Sequence, residues 1–216
     1  MAKQPGDIRT LRITGHQKGA SVERLTGQAG DIMQAARALF ERKGVRGTSV
    51  TAIAAEAGIT RELFYYYFAN KQAVIEAVLD DYVADMVETV LVWNELRDFG
   101  DTPTSLKRCI VALRRALYDA EGPRPMIAVL EELGARDDFD VRAVRETVDC
   151  INEHIVTEYA AYHNVEIKFV REMFCVLIFG LIGLMKVHPD ISDETLMRIV
   201  AQTLRLDMRV IEKPEA

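Results

Sequence analysis

Thr60, Arg61, Glu62, Tyr65 and Tyr66 fall within seven consecutive residues, and their side chains are of the kinds that handle nucleic acid. Hydroxyls and a guanidinium bond phosphate oxygens, and Arg, less often Glu, reads base edges. They follow Ala57-Gly58-Ile59. A glycine at 58 permits the left-handed backbone of a tight turn, and the small Ala54 lets the helix before the turn sit close to the one after it. The second helix would then present its first turn and outer face to a major groove, the geometry of a helix-turn-helix.

Other chemistry finds less support. Asp80, Asp81 and Asp85 form an acidic cluster, but their spacing is not that of the usual Asp-rich magnesium motif, and Asp137, Asp138 and Asp140 read as a loop and helix start. The four histidines, at 16, 154, 163 and 188, make no ExxH or HExxH pattern. Cys109, Cys150 and Cys175 are far apart in apolar helical contexts and read as buried thiols. The expectation is therefore no enzyme, no metal and no cofactor.

The net charge of -6 is unevenly placed. Residues 1–71 hold eleven Lys and Arg against six Asp and Glu, whereas residues 72–216 hold sixteen against twenty-seven. A basic end facing phosphate and an acidic body repelled by it are the implied arrangement. No apolar leader is visible at the N-terminus. The longest apolar run, Phe174 to Met185, is short of the ~20 residues a membrane span requires. These features predict a cytoplasmic protein with no membrane partner.

Periodicity and caps predict an all-α chain of about nine helices. Residues 1–27 lack periodicity and read as a flexible basic arm. Ile32, Ala36, Leu39 and Phe40 share one helix face, stopped by Gly44; Thr48 or Ser49 caps the next helix and Thr60 the third. Residues 28–71 thus form a small helix-turn-helix domain. Asn70 caps a long fourth helix, and five further helices follow over about 102–121, 126–135, 139–163, 166–187 and 192–211, so that residues 72–216 make a larger helical domain. No strand is predicted. Phe64 and Phe68 read as core, and Arg114 and Arg115 as solvated. The last two helices are the best candidates for a dimer contact, the first being apolar nearly all round from Met173 to Met185, with Gly180 and Gly183 allowing close approach. Trp93, Phe99, Tyr118, Met126, Phe139 and Met173 are candidates to line a pocket among the middle helices.

The ordered set Ile32, Ala35-Ala36, Leu39-Phe40, Gly44, Thr48-Ser49-Val50, Ile53-Ala54, Ala57-Gly58-Ile59, Phe64-Tyr65, Tyr67-Phe68, Lys71 and Ala77-Val78 resembles the TetR family of regulators. The resemblance implies a ligand-responsive repressor, a homodimer through residues about 166–211, double-stranded DNA with two half-sites, and a small-molecule effector bound in the C-terminal domain. It implies phosphate contacts from Thr48, Tyr65 and Lys71, with Thr60, Arg61 and Tyr66 facing the groove. Two positions depart from the family pattern: Leu63 stands where a small or hydroxyl residue is frequent, and Glu62 where Gly, Ala or Pro is common. Two alternatives remain open, a DNA-binding protein without an effector and a helical enzyme.

Overall fold

The computed structural model describes residues 8–12, 21–97, 101–156, 168–206 and 208. Nine α-helices lie among the described residues: α1 Gly27–Lys43, α2 Val50–Glu56, α3 Arg61–Tyr67, α4 Lys71–Glu95, α5 Thr102–Leu117, α6 Pro125–Leu133, α7 Arg136–Ile151, α8 Val170–Val187 and α9 Asp193–Leu204. A π-helical turn, Asn152–Val156, continues α7. The expected extension of that helix to His163 falls outside the described residues, as does the stretch from 209 to 211.

The helix starts follow from side-chain oxygens that accept otherwise orphaned N–H groups. Ser49, Thr60, Asn70, Asp101 and Ser192 accept from Ala52, Leu63, Ala73, Thr104 and Thr195 in turn. Of the two candidates for the α2 cap it is Ser49 that acts. The α7 helix begins earlier than periodicity suggested, with Asp137 and Asp138 in its first turn, where carboxylates complement the helix dipole.

The chain divides into two compact units, neither of them a continuous stretch. The first comprises Ser21–Asp85 and Glu121–Arg142 together with the strand Ile8–Arg12; the second includes Met86–Ala120 and Ala143–Ala216. In the first, α1 buries Ile32, Met33, Ala36, Leu39 and Phe40, α2 buries Ile53 and Ala54, and α6 buries Met126, Ile127, Val129 and Leu130. Here the expectation of no strand fails. Strands β1 Ile8–Arg12 and β2 Ser21–Leu25 pair antiparallel, with Ile8 opposite Leu25 and Arg12 opposite Ser21. Their sequences do not alternate apolar and polar residues, so pairing left no period-2 signal.

Beside this ribbon the Asp80, Asp81 and Asp85 cluster is taken up by arginines. Asp81, 3% exposed, accepts from Arg24 at 2.6 Å, from Gln34 at 3.2 Å and from Arg37. Asp85 is bonded by both guanidiniums at 2.8 Å. Arg37 stacks 4.5 Å from the centre of the Tyr82 ring, and the Tyr82 hydroxyl donates to Glu41 at 2.9 Å. Burial works against the Arg37 charge, but bonding and attraction to Asp85 and Asp81 outweigh it and raise its pKa. Burial, followed by Glu41, likewise raises that of Tyr82. Asp80 pairs with Arg142. No group of His, Cys, Asp and Glu that could hold a metal is present among the described residues.

In the second unit, Leu106, Ile110 and Leu117 of α5 share a core with Leu177, Leu181 and Met185 of α8 and Leu196, Val200 and Ala201 of α9. Arg114 is not solvated as expected. It donates to Asp193 at 2.7 Å and to the Ile191 carbonyl at 2.6 Å, fixing the start of α9 against α5. The α8 helix buries one stripe and leaves Val176, Phe179 and Val187 exposed, with open space at Gly180 and Gly183. No helix of the described residues is long and apolar enough to cross a membrane. Of the three cysteines expected to be buried only Cys150 is; Cys109 and Cys175 are half-buried. Burial pushes the Cys109 thiol up to about 12 and that of Cys150 up to about 11.

Removing one partner from a buried charge cluster costs more than the cluster contributes, because the remaining charges stay desolvated. Asp81→Ala is therefore expected to lower stability by about 3–5 kcal/mol, read from urea denaturation. A loss within experimental error would show that Arg24 and Arg37 turn to solvent at no cost.

Candidate nucleic-acid interface

The α1–α2 turn and the α2–α3 turn together set the exposed surface of the first unit. Gly44 has φ 75 and closes α1 by donating to the Phe40 carbonyl at 2.9 Å. Gly58 has φ 66, and Ile59 N–H donates back to the Ala54 carbonyl at 2.9 Å. This is the left-handed helix exit that glycine adopts without strain. The chain then re-enters a helix at once, because the Thr60 hydroxyl accepts from Leu63 N–H.

Two phenylalanines orient α3. Phe64 is 0% and Phe68 7% exposed, and four residues apart they lie on one face. At ~100° per residue the opposite face falls to Tyr66 and Glu62, with Leu63 and Tyr65 on the flanks; Arg61 lies towards the phenylalanine side and is open because it is the first residue of the helix. Exposure follows this geometry: Tyr66 55%, Tyr65 43% and Leu63 37%, with Arg61 and Glu62 also exposed. The Arg61 guanidinium lies 5.9 Å from the Tyr65 ring centre, and Tyr66 meets Tyr67 edge to face at 5.0 Å. Thr60, Arg61, Tyr65 and Tyr66 are thus all exposed, with Arg61 beside Tyr65 and Tyr66 on the outermost line of the helix.

Thr48 and Lys71 converge elsewhere, on the Val45 carbonyl. Thr48 N–H donates to it at 3.2 Å, and the Lys71 ammonium donates to it as well. The Thr48 side chain is buried, 2% exposed, and its hydroxyl donates to the Gly44 carbonyl at 2.8 Å. In this arrangement Thr48 shapes the turn, whereas the half-buried Lys71 has further N–H donors to offer.

The same turn holds a partner that local sequence gives no sign of. Glu132, on α6, accepts from Val45 N–H and Arg46 N–H, both at 2.6 Å. Its carboxylate fills the space a side chain at 44 would need, lying 2.7 Å from where a Cβ would stand. The Arg46 N–H first, then that of Val45, holds the Glu132 carboxyl below its ordinary pKa. Arg46 itself is 89% exposed and sits between Gly44 and Gly47. It is a cation that the motif-based reading passed over, although its place in a glycine-flanked turn was visible. Arg42, by contrast, is engaged with Glu56 at 3.1 Å.

The candidate pocket residues divide between the units. Met126 and Phe139 are buried in the first; Trp93, Tyr118 and Met173 are half-buried in the second, where Trp93 donates to the Ser105 carbonyl at 2.7 Å. Phe99 lies outside the described residues.

Residues 32–78 match the model of the family described as bacterial regulatory proteins, tetR family. A curated relative, the HTH-type transcriptional repressor SCO4008 of Streptomyces coelicolor, is 38% identical over 61 residues, 28% of this chain and 32% of that protein. The chain spans about a quarter to a third of the length of the first curated relatives it matches. Among solved structures, Salmonella enterica GusR aligns with a TM-score of 0.60 at 16% identity, over 83% of this chain and 96% of its own. The multidrug binding protein EbrR complexed with ethidium aligns at 0.54 and 19%, over 82% and 98%. At these identities the structural likeness establishes the fold.

Because the Glu132 pKa is depressed in the folded state, its contribution is complete above the unfolded value of about 4.3 and is lost as pH falls through the folded value. The stability gap between the protein and Glu132→Gln should hold steady from pH 7 to 5 and close on further acidification. Denaturant titrations at stepped pH read this directly, and a gap that persists undiminished to pH 3 contradicts the ionised acceptor.

Proposed function

We propose that this chain, whose residues 32–78 match the model of the tetR family of bacterial regulatory proteins, is a DNA-binding transcription regulator, a repressor that grips a two-half-site operator as a homodimer and releases it when a small molecule occupies its C-terminal region. The single observation that carries the DNA-binding reading is α3, with Phe64 and Phe68 turned in and Arg61, Tyr65 and Tyr66 turned out. In the proposed complex Arg61 and Tyr66 meet base edges and Thr60 lies at the groove. Leu63 offers apolar contact to a thymine methyl. Tyr65, Lys71 and Arg46 bind phosphates, and Thr48 holds the turn that aims them. No catalytic step is part of this function.

The dimer follows from the uncovered stripe on α8. Val176, Phe179, Gly180, Gly183 and Val187 recur at helical spacing on one face. Such a face about a two-fold axis meets its own copy, and the glycines let the helices approach closely. Leu196 and Val200 of α9 serve the internal core instead, so α8 supplies the apolar centre of the proposed interface. Two α3 helices so joined must enter grooves ~34–36 Å apart. The α3–α4 connection is short and capped, with Asn70 accepting from Ala73 at 2.9 Å. A ligand preferring a state with another separation would therefore lower operator affinity. EbrR, seen with ethidium, lends support to a small-molecule trigger.

Selection of bound fragments from random genomic DNA tests the function, and failure to enrich any duplex sequence refutes it. On the selected site, Lys71→Ala and Arg46→Ala should each lower the slope of log affinity against log salt by about one. Tyr65→Phe should weaken binding with the slope intact. An unaltered slope in both Ala variants excludes those phosphate contacts.

Val176→Asp with Phe179→Asp should yield a folded monomer by sedimentation equilibrium, with helical circular dichroism retained and operator affinity sharply reduced. A dimer persisting in this double variant would place the interface elsewhere.

A further inference from the structure

Glu62 is the one acid on the face of α3 that would enter a duplex. Unpaired against phosphate, a carboxylate there is repelled, so its presence needs a donor. It shares the outermost line of the helix with Tyr66, four residues on and directly opposite the buried Phe64 and Phe68 pair. Any approach that seats Tyr66 in the groove therefore carries the Glu62 carboxylate in with it.

Its own backbone N–H first, then the Thr60 hydroxyl and the Arg61 charge, hold its carboxyl below the usual carboxylate range, so it stays an acceptor at neutral pH. The base edges of the major groove offer two kinds of donor, the cytosine N4 amino group and the adenine N6 amino group. Adenine also presents its N7 acceptor beside that amino group, which an ionised carboxylate cannot satisfy and which repels it. Guanine presents only the N7 and O6 acceptors, and thymine the O4 acceptor and a methyl group.

Resting on the reading of the chain as an operator-binding regulator, we propose that Glu62 is a specificity-determining residue that selects a cytosine at one fixed position of each half-site by accepting a hydrogen bond from its N4 amino group. It acts mainly by rejection: bases presenting acceptors at that position face a negative charge that docking strips of water. Arg61, next in the chain and of opposite sign, is suited to a guanine.

The experiment compares the full-length protein, Glu62→Ala and Glu62→Gln by selection from a random duplex pool, followed by affinity for half-sites differing at each base. The unaltered chain should prefer cytosine at one position by about tenfold. Glu62→Ala should lose that preference alone and bind random duplex more tightly, having shed a repelled charge. Glu62→Gln, whose amide both donates and accepts, should shift the preference to adenine, the base Gln pairs with through N6 and N7.

Base preferences identical in all three proteins, with only thermal stability changed, would make Glu62 a helix-capping residue and overturn the assignment while leaving the regulator reading intact. A preference at that position for an A·T pair in the unaltered chain overturns it equally. Absence of any duplex binding by the unaltered chain removes both.

Discussion

The first unit depends on the burial of two aromatic rings on a helix only seven residues long. Isolated helices of this length do not persist in water, because nucleation costs more than so few hydrogen bonds return. Phe64 and Phe68, each worth roughly 1.5–3 kcal/mol when withdrawn from water, supply what the backbone lacks. Their rings lie 5.8 Å apart in a tilted pair, and because they lie one turn apart they fix the rotation of α3 as well as its existence. That rotation turns Tyr66 and Glu62 outward. The reading surface follows from packing on the other side of the same helix, so its chemistry can vary while its aim is kept.

A second constraint concerns charge. The basic surplus of residues 1–71 is not uniformly available to a nucleic acid. Arg24 and Arg37 are committed to Asp81 and Asp85, and Arg42 to Glu56. Among the described residues Lys43, Arg46 and Arg61 remain outward, with the spare donors of Lys71. Under the proposed function a few such cations would position a duplex, whereas screened long-range charge steers but does not position.

Much of this was legible from the residues. Ser49, Thr60, Asn70 and Ser192 cap where their types and neighbours say they should, because capping is local. The Ala57-Gly58-Ile59 turn was readable because only glycine tolerates φ 66 without strain. Interactions spanning the chain left no such trace. Arg114 looked like any exposed helix cation until Asp193 met it. Asp81 read only as part of an acidic cluster without metal-site spacing, and nothing local showed that arginines from two distant segments enclose it. The β1–β2 ribbon lacks alternation, and its carboxyl end runs directly into α1, where Gly30 leaves room for the Leu25 carbonyl; a Cβ there would lie 2.7 Å from that oxygen. The resemblance implied a phosphate contact from Thr48, whereas its buried hydroxyl donates to the Gly44 carbonyl, a local bond that residue type alone does not distinguish from an open cap.

The Glu132 carboxylate on the α1–α2 turn bears on how such proteins can be recombined. By sequence alone, residues 28–71 read as a self-contained small domain. Here the backbone amides of Val45 and Arg46 take their acceptor from a helix more than eighty residues downstream, and the compact unit containing the head also claims Glu121–Arg142. A splice made after α3 or within α4 would leave those two amides without their partner. Three helices transplanted without α6, or onto a body whose corresponding helix lacks an acid in register, would therefore keep their sequence but lose the acceptor beneath the α1–α2 turn.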